Sequence, residues 1–156
     1  MVQAADNQAE LRELYRELIL DHARKPRNFG KLDRATHEAE GINPLCGDKL
    51  RLYLSLDDNG TVNAATFEGS GCAISVASAS LLTERIPGMT KTEALDFCSA
   101  IFSALTDSGA EAETKLGKLA ALQGVREFPA RVKCATLAWH ALASALNRDV
   151  EPATTE

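Results

Sequence analysis

A hairpin of two β-strands is the pattern that most restricts the fold of this chain. From Leu50 to Leu56, leucines alternate with more polar residues, which is the period of a strand buried on one face. The run Asp57-Asp58-Asn59-Gly60 is a strong turn signal, and Thr61 to Glu68 supplies the return strand. A shorter strand is predicted from Thr36 to Gly41. These segments predict a small antiparallel sheet of about three strands.

The segments that flank this sheet have helical periodicity. A first helix is predicted from Asn7 to just before Pro26, because a residue that precedes proline disfavours the helical conformation. The other predicted helices run from just after Cys72 to Pro87-Gly88, from Thr90 to Leu105, over a short segment around Leu116 and Leu119 that Gly124 breaks, and from Pro129 to about Leu146. The expected fold class is therefore α+β, a small sheet packed against a layer of helices. We expect one domain over residues 1–156, ordered from about 7 to 148, with short flexible tails.

Two of the helices carry more specific predictions. Thr90 and Glu93 have the spacing of a capping box at a helix N-terminus. Pro129 suits the first turn of the last helix, where its missing N–H leaves no hydrogen bond unmade. The last helix is expected to bury one stripe, formed by Val132, Thr136, Trp139 and Leu142 or Leu146.

Composition excludes several classes of function. The net charge of −5 is not offset by a basic stripe, which argues against nucleic-acid binding. No apolar run reaches the length of a membrane span. The first residues have neither the basic start nor the apolar core of a secretion signal, so a cytoplasmic protein is expected. In that compartment stable disulfides are rare, and clustered cysteines indicate metal binding or catalysis.

Three of the four cysteines stand in distinctive settings. Cys46 is followed by Gly47 and Asp48, Cys72 follows the run Gly69-Ser70-Gly71, and Cys134 follows the run Arg131-Val132-Lys133. Since Cys46 precedes the hairpin and Cys72 follows it, both are expected at one end of the sheet. The glycine bend would let the thiol of Cys46 and the carboxylate of Asp48 turn to the same point.

Two of these settings are expected to favour the thiolate. Cys72 stands just before a helix and Cys134 near the start of another, where free backbone N–H groups and the helix dipole stabilise negative charge. Arg131 and Lys133 would add positive charge beside Cys134.

Two interpretations of the cysteines remain open at this point. Three thiolates and a carboxylate fit a tetrahedral Cys₃Asp site, for which zinc is the natural occupant; its ligands would be Cys46, Asp48, Cys72 and Cys134. Alternatively, each cysteine is a small buried apolar residue, which is the interpretation that fits Cys98, on an apolar helical stripe. The histidines are expected to be incidental: His22 as a capping or solvated residue at a helix end, His37 in a polar stretch, and His140 on another face of its helix.

Four motifs together carry a family resemblance. They are Tyr15 to His22 with Pro26-Arg27-Asn28, Asn43 to Asp48, Phe67 to Ser75, and Arg131 to Trp139. With these motifs the chain resembles the IscU/SufU-type iron–sulfur cluster assembly proteins, and most closely their SufU branch. The long segment between Cys72 and Cys134, with an insertion around Pro87 to Glu113, is similar to that branch. So is Lys133, since scaffold-type relatives carry a histidine there.

The resemblance implies a site and a function. Cys46, Asp48, Cys72 and Cys134 would bind Zn²⁺, and Cys46 would accept persulfide sulfur from a pyridoxal-phosphate cysteine desulfurase of the SufS type. A histidine of the desulfurase would replace Cys46 on zinc. Downstream iron–sulfur assembly proteins would receive the sulfur, so the activity would be a sulfurtransferase-like relay that stimulates the desulfurase. Apart from the resemblance, the charge of Arg131 and its nearness to Cys134 in the sequence suggest that it orients Asp48 or stabilises the released thiolate.

Two alternatives to this relay are considered. The same residues could assemble a [2Fe–2S] cluster, with iron or a transient cluster in place of zinc. The site could also be a purely structural zinc centre in a binding module, closed to ligand exchange.

Overall fold

One β-sheet and five helices make up the part of the chain that the structure describes. The structure, a computed structural model, describes residues 4–106, 116–149 and 151–155. The helices are α1 (Ala4–Arg24), α2 (Ala73–Arg85), α3 (Lys91–Thr106), a 3₁₀ helix (Gly117–Glu127) and α4 (Pro129–Leu146). The strands are β1 (His37–Asn43), β2 (Asp48–Leu56), β3 (Val62–Ser70) and β4 (Ala153–Thr154). The predicted α+β class is confirmed, and residues 107–113 of the predicted insertion lie outside the described residues.

The predicted hairpin forms the centre of the sheet. Strands β2 and β3 pair antiparallel, with Leu52 opposite Phe67. The connecting turn is closed by the N–H of Gly60, which donates to the carbonyl of Asp57 at 3.0 Å. The side chain of Asp57 accepts further backbone N–H groups from Asn59 and Thr61. This local bonding explains why the sequence signal for the hairpin was reliable.

The sheet has four strands rather than three, because the C-terminal segment joins it. The strand order is β3-β2-β1-β4, and β4 lies parallel to β1, so the sheet is mixed. The N–H of Thr155 also donates to the carbonyl of Ile42 at 3.2 Å. The expectation of a flexible tail over residues 151–156 is therefore wrong for Ala153–Thr154: a short polar segment is held by backbone hydrogen bonds that its composition does not reveal.

The opposite edge of the sheet is covered by the loop that follows α1. Gly30 donates its N–H to the carbonyl of Phe67 at 2.7 Å, and the N–H of Phe67 donates to the carbonyl of Asn28 at 3.1 Å. The ring of Phe29 meets that of Phe67 edge-on, with centroids 5.2 Å apart. The loop thus satisfies backbone groups of β3 that an edge strand would leave open.

The last helix is buried on nearly all sides. Helix α4 packs against β1 and β2 and also against α2 and α3. Its buried residues run almost without interruption, namely Cys134, Ala135, Thr136, Leu137, Ala138, Trp139, Ala141, Leu142, Ala145 and Leu146. The predicted single stripe was too narrow, because a helix enclosed by the sheet and by two other helices needs apolar residues all round. Trp139 is fully buried and donates its Nε1–H to the Oγ of Ser78 at 3.0 Å.

Two other helix predictions have opposite outcomes. The capping box of α3 is confirmed, since the N–H of Glu93 donates to Oγ1 of Thr90 at 3.2 Å and the N–H of Thr90 donates to Oε1 of Glu93 at 3.1 Å. The short helix expected to break at Gly124 instead continues as a 3₁₀ helix to Glu127. Gly124 is tolerated there because tertiary packing, rather than intrinsic propensity, holds the segment.

His22 is not a solvated residue, as its position near a helix end had suggested. It is 1% exposed, and its Nδ1 lies 2.7 Å from the Oγ of Ser80 on α2. Its Nε2 lies 3.5 Å from Oε1 of Glu84. The amide of Arg27 also donates to the Oγ of Ser80, so this cluster ties the end of α1 to α2. Burial lowers the pKa of His22, and the charge of Arg27 lowers it further.

None of the helices described has the combination of length and low charge that a bilayer crossing would need.

We predict that His22 makes folding stability depend on pH. Its native pKa is lowered, so below about pH 6.5 the unfolded chain binds a proton that the native chain does not. Stability should therefore be complete above that pH and fall as the solution is acidified. We expect His22→Asn to cost about 1–3 kcal/mol near pH 7.5, because a buried side chain is truncated.

The same variant should lose less stability than the wild type on going to about pH 5.5, which urea unfolding at the two pH values would measure. Part of the pH dependence should remain, since burial also lowers the pKa of His37 and of His140. Equal pH dependence in the two proteins would contradict the prediction.

Candidate metal centre

The turn between β1 and β2 presents Cys46 to solvent. Asn43 and Asp48 are the last paired residues of the two strands. The N–H of Cys46 donates to the carbonyl of Asn43 at 3.3 Å, and Gly47 has φ of 72°, in the left-handed region that favours glycine. The turn therefore places Cys46 at an exposed position while Asp48 points into the protein.

Asp48 is a buried carboxylate without a cationic partner. It is 1% exposed. Its Oδ1 accepts the N–H of Cys72 at 2.9 Å, and its Oδ2 accepts Nδ2–H of Asn43 at 3.4 Å. Among the described residues no lysine or arginine forms an ion pair with it. Because burying an uncompensated carboxylate is costly, this position suits a bound cation.

Two thiols converge on this carboxylate. One ligand atom from each of Cys46, Asp48 and Cys134 lies within 4.8 Å of the others. Two ligands on a tetrahedral zinc ion are about 3.5–4 Å apart, given Zn–S and Zn–O distances of roughly 2.3 and 2.0 Å. The three ligand atoms are therefore within about 1 Å of the spacing that a tetrahedral zinc ion would need.

Cys72 belongs to the same neighbourhood but is not within that distance of all three atoms. It is the N-cap of α2 and is half-buried. Its amide fixes Asp48. Its side chain is close enough to Cys134 to act on that thiol as a hydrogen-bond partner and through its charge. The structure thus brings all four predicted ligand residues to one end of the sheet, with three of them in mutual ligand range.

The pKa of Cys134 is shifted in the direction opposite to our expectation. Burial raises the pKa of this thiol, and hydrogen bonding to Asp48, Cys46 and Cys72 raises it further. Cys134 is 2% exposed in the second turn of α4, so desolvation outweighs the helix dipole. A metal ion would reverse this balance, because a coordinating thiol is deprotonated outright.

Arg131 and Lys133 do not contact the cluster. Within the described part of the chain, neither side chain makes a hydrogen bond or ion pair with Asp48 or with a thiol. Arg131 is exposed and lines a groove formed with α1, α2 and the 3₁₀ helix, whereas Lys133 is half-buried. Lys133 is adjacent to Cys134 in the chain, so its side chain points about 100° away from that thiol. Arg131 lies one helical turn before Cys134, but it lines the groove and makes no hydrogen bond or ion pair with the cluster.

Asn43 is a site residue to which sequence analysis assigned no role. It is fully buried, and its Nδ2–H groups donate to Oδ2 of Asp48 and to the Sγ of Cys134, the latter at 3.5 Å. Its Oδ1 has no partner among the described groups. A buried amide at the end of a strand, directly before a cysteine-bearing turn, is the signal that could have identified it.

Gly71 is required by close packing against the site. A Cβ at this position would overlap the Oγ of Ser75 and lie 2.7 Å from Oδ1 of Asp48. The glycine before Cys72 therefore leaves room for the carboxylate, and this is a steric rather than a conformational requirement.

The donor set fits zinc. Thiolates with one carboxylate are ligands that Zn²⁺ accepts, and tetrahedral geometry suits their number. The histidines lie elsewhere: His22 binds Ser80, His37 bonds to Thr36 at 2.8 Å, and His140 stacks on Phe102 at 4.4 Å between centroids. Cys98 is 2% exposed in the core, where burial raises its pKa to about 12.

Comparison with known proteins identifies the family to which this chain belongs. A family described as the NifU-like N-terminal domain matches residues 14–146. The chain belongs to this family. The match extends from α1 to the end of α4, so this NifU-like domain includes every element that forms the site.

Several members of the family are similar over most of their length. The zinc-dependent sulfurtransferase SufU of Bacillus subtilis is 44% identical over 134 residues, covering 86% of this chain and 90% of that protein. The iron–sulfur cluster assembly scaffold protein IscU of Thermotoga maritima is 45% identical, covering 89% and 96%. A crystal structure described as a putative iron–sulfur cluster assembly scaffold protein for the SUF system, from Fervidobacterium islandicum, superposes with a TM-score of 0.73 at 33% identity, covering 83% and 94%.

We predict that Gly71→Ala weakens zinc binding. The added Cβ would push Asp48 out of place, so zinc affinity should fall at least about 10-fold, the scale seen when a ligand loses its positioning. A competition titration with a chelating dye would measure it. The matched control is Gly124→Ala, where a Cβ has nothing within 4 Å. Equal affinity in the two variants would contradict the steric argument.

We predict that Asn43→Ala changes the electronic spectrum of the cobalt-substituted protein. Loss of the N–H···S hydrogen bond to Cys134 leaves that thiolate more electron-rich, so the sulfur-to-cobalt charge-transfer band should shift to lower energy. Metal affinity should fall about 10–100-fold, because the amide positions two ligands. Asn63→Ala, on the exposed side of β3, is the control. An unchanged band would mean that Asn43 does not contact the bound ligand set.

Proposed function

We propose that this protein is a zinc-containing sulfur-transfer protein that accepts persulfide sulfur from a cysteine desulfurase and relays it for iron–sulfur cluster biogenesis. One observation carries the proposal: the cluster has a single exposed thiol, that of Cys46, while Cys134 is buried and Cys72 is half-buried. The similarity to the zinc-dependent sulfurtransferase of Bacillus subtilis supports it. The proposed ligands are Cys46, Asp48, Cys72 and Cys134.

The positions of the three thiols give them unequal tasks. Cys134 is held in a helix that is enclosed on nearly all sides and receives a hydrogen bond from Asn43. Cys72 is fixed through its amide to Asp48. Cys46 stands on a turn with an open glycine beside it, since a Cβ at Gly47 would meet nothing within 4 Å. Cys46 is therefore the ligand that is free to move toward a partner.

The proposed transfer is a balanced thiol–persulfide exchange. The thiolate of Cys46 attacks the terminal sulfur of a cysteine persulfide on the desulfurase, forming a new S–S bond at Cys46. The S–S bond of the donor breaks, and the donor cysteine leaves as a thiolate that is then protonated. No external oxidant or reductant is consumed. Bound zinc would keep the thiols of the cluster deprotonated at neutral pH.

The proposed partners follow from this chemistry. The sulfur donor would be a pyridoxal-phosphate cysteine desulfurase of the SufS type, and the receivers would be downstream iron–sulfur assembly proteins, all in the cytoplasm. The activity is a sulfurtransferase-like relay that stimulates the desulfurase by removing its persulfide. Neither nucleic acid nor a membrane has a part in it.

Assembly of a [2Fe–2S] cluster on the same residues is the second candidate, favoured by relatives named as scaffolds. Against it, the family resemblance implies a histidine in scaffold-type relatives at the position where this chain carries Lys133. Anaerobic reconstitution with iron and sulfide separates the two functions. A stable, transferable cluster that forms with easy loss of zinc would favour the scaffold, whereas zinc that resists displacement would favour the relay.

We predict that Cys46→Ser abolishes stimulation of the desulfurase. Serine keeps the size of the side chain but cannot form a persulfide, so turnover with cysteine should return to the rate of the desulfurase alone. Alkylation and mass spectrometry of the wild type after reaction should locate one additional sulfur atom on Cys46. If Cys46→Ser stimulated like the wild type, the acceptor role would be wrong.

Cys98→Ala is the matched control, because Cys98 is buried in the core away from the cluster. It should stimulate the desulfurase and carry persulfide on Cys46 as the wild type does. A purely structural zinc centre predicts a third result: removing zinc would unfold the protein, and no persulfide would form on Cys46.

A further inference from the structure

An apolar groove with a cationic rim lies directly beside the cluster. Its volume is about 540 Å³, within the range of clefts that bind ligands. It is formed by α1, the first turn of α2, the 3₁₀ helix and the start of α4, and its lining residues include Tyr15, Ile19, Ile74, Val125 and Phe128. Phe128 is 54% exposed, so a large apolar ring remains in contact with water.

Three arginines stand along this groove. They are Arg12, Arg16 and Arg131. Within the described part of the chain, none of them forms an ion pair, and the lining contains no carboxylate. In a chain of net charge −5, this is a local excess of positive charge beside apolar side chains. Such a surface is complementary to an apolar segment that carries acidic residues.

Residues that line the groove are close in the chain to two cysteines of the cluster. Ala73, in its lining, is bonded to Cys72, and Arg131 lies one helical turn before Cys134. A segment seated in the groove would therefore lie next to the elements that carry Cys72 and Cys134. Sequence analysis had assigned Arg131 to the cluster itself, whereas the structure places it in the lining of this groove.

We propose that this groove docks an acidic, apolar segment of the cysteine desulfurase, and that Arg12, Arg16 and Phe128 supply the affinity that holds Cys46 at the donor persulfide. The inference rests on the proposed sulfur-transfer function, which it deepens by naming the contact surface and the chemistry of the segment. The arginines contribute electrostatic attraction and the aromatic ring buries apolar surface, the combination that dominates many protein interfaces.

Binding of the zinc-loaded protein to a purified desulfurase tests the arginines. We expect Arg12→Glu with Arg16→Glu to weaken binding at least about 10-fold and to remove most of its salt dependence, since charges of the wrong sign then face the partner. The matched control carries the same change of charge at Arg24→Glu with Lys31→Glu, which are exposed and outside the groove. It should bind like the wild type.

A second pair of variants tests the apolar part. Phe128→Ala should weaken binding about 3–10-fold, as expected for an aromatic contact residue. Leu14→Ala removes a side chain that is 65% exposed on α1 but outside the groove, and it should have no effect. With all groove variants, zinc content should match the wild type and the maximal stimulated rate at saturating protein should be unchanged. Only the concentration for half-maximal stimulation should rise.

Photo-crosslinking identifies the docked segment directly. A photoreactive phenylalanine analogue at position 128 should crosslink to a desulfurase peptide in which acidic residues flank apolar ones, and the same analogue at position 14 should not. Groove variants that bind as tightly as their controls, or a crosslinked peptide that is basic, would overturn the inference while leaving sulfur transfer intact. If the wild-type protein neither binds nor stimulates the desulfurase, the proposed function fails and the inference falls with it.

Discussion

The buried carboxylate of Asp48 is the constraint on which this end of the molecule depends. It accepts a hydrogen bond from the amide of Cys72, the N-cap of α2, and another from the side chain of Asn43 at the end of β1. It therefore joins the sheet to the helical layer. Position 71 requires glycine because a Cβ there would overlap this carboxylate and the hydroxyl of Ser75. A buried carboxylate in this position, with no lysine or arginine paired to it among the described residues, suits the site to a cation.

The same end of the molecule combines fixed and movable parts. Helix α4 is buried on nearly every side and holds Cys134 rigidly, whereas the turn that carries Cys46 has open space around its glycine. Burial raises the pKa of Cys134, which favours its protonated thiol form in the absence of a metal ion. Among the three thiols of the cluster, that of Cys46 is the most accessible to solvent.

Much of this arrangement could be predicted from the sequence. The hairpin, the capping box of α3 and the position of Cys46 and Cys72 at one end of the sheet depend on local signals that packing did not override. The approach of Cys134 to them is a long-range contact, which the sequence indicated only through the types of the four residues and the family resemblance. The parallel pairing of β4, the burial of His22 and the location of Arg131 could not be predicted, because each is decided by contacts between residues far apart in the chain. Asn43 was not identified for a related reason: the role of a buried amide is apparent only when its hydrogen-bond partners are known.

The two covered edges of the sheet have a consequence for the behaviour of the protein in solution. Residues 28–30 satisfy backbone groups of β3, and β4 with Thr155 does the same for the part of β1 nearest the cluster. Open strand edges are templates on which identical chains add to one another and aggregate. With these edge groups already paired, two copies of the chain have little backbone left through which to join their sheets, and contacts with other molecules would be made through side chains instead.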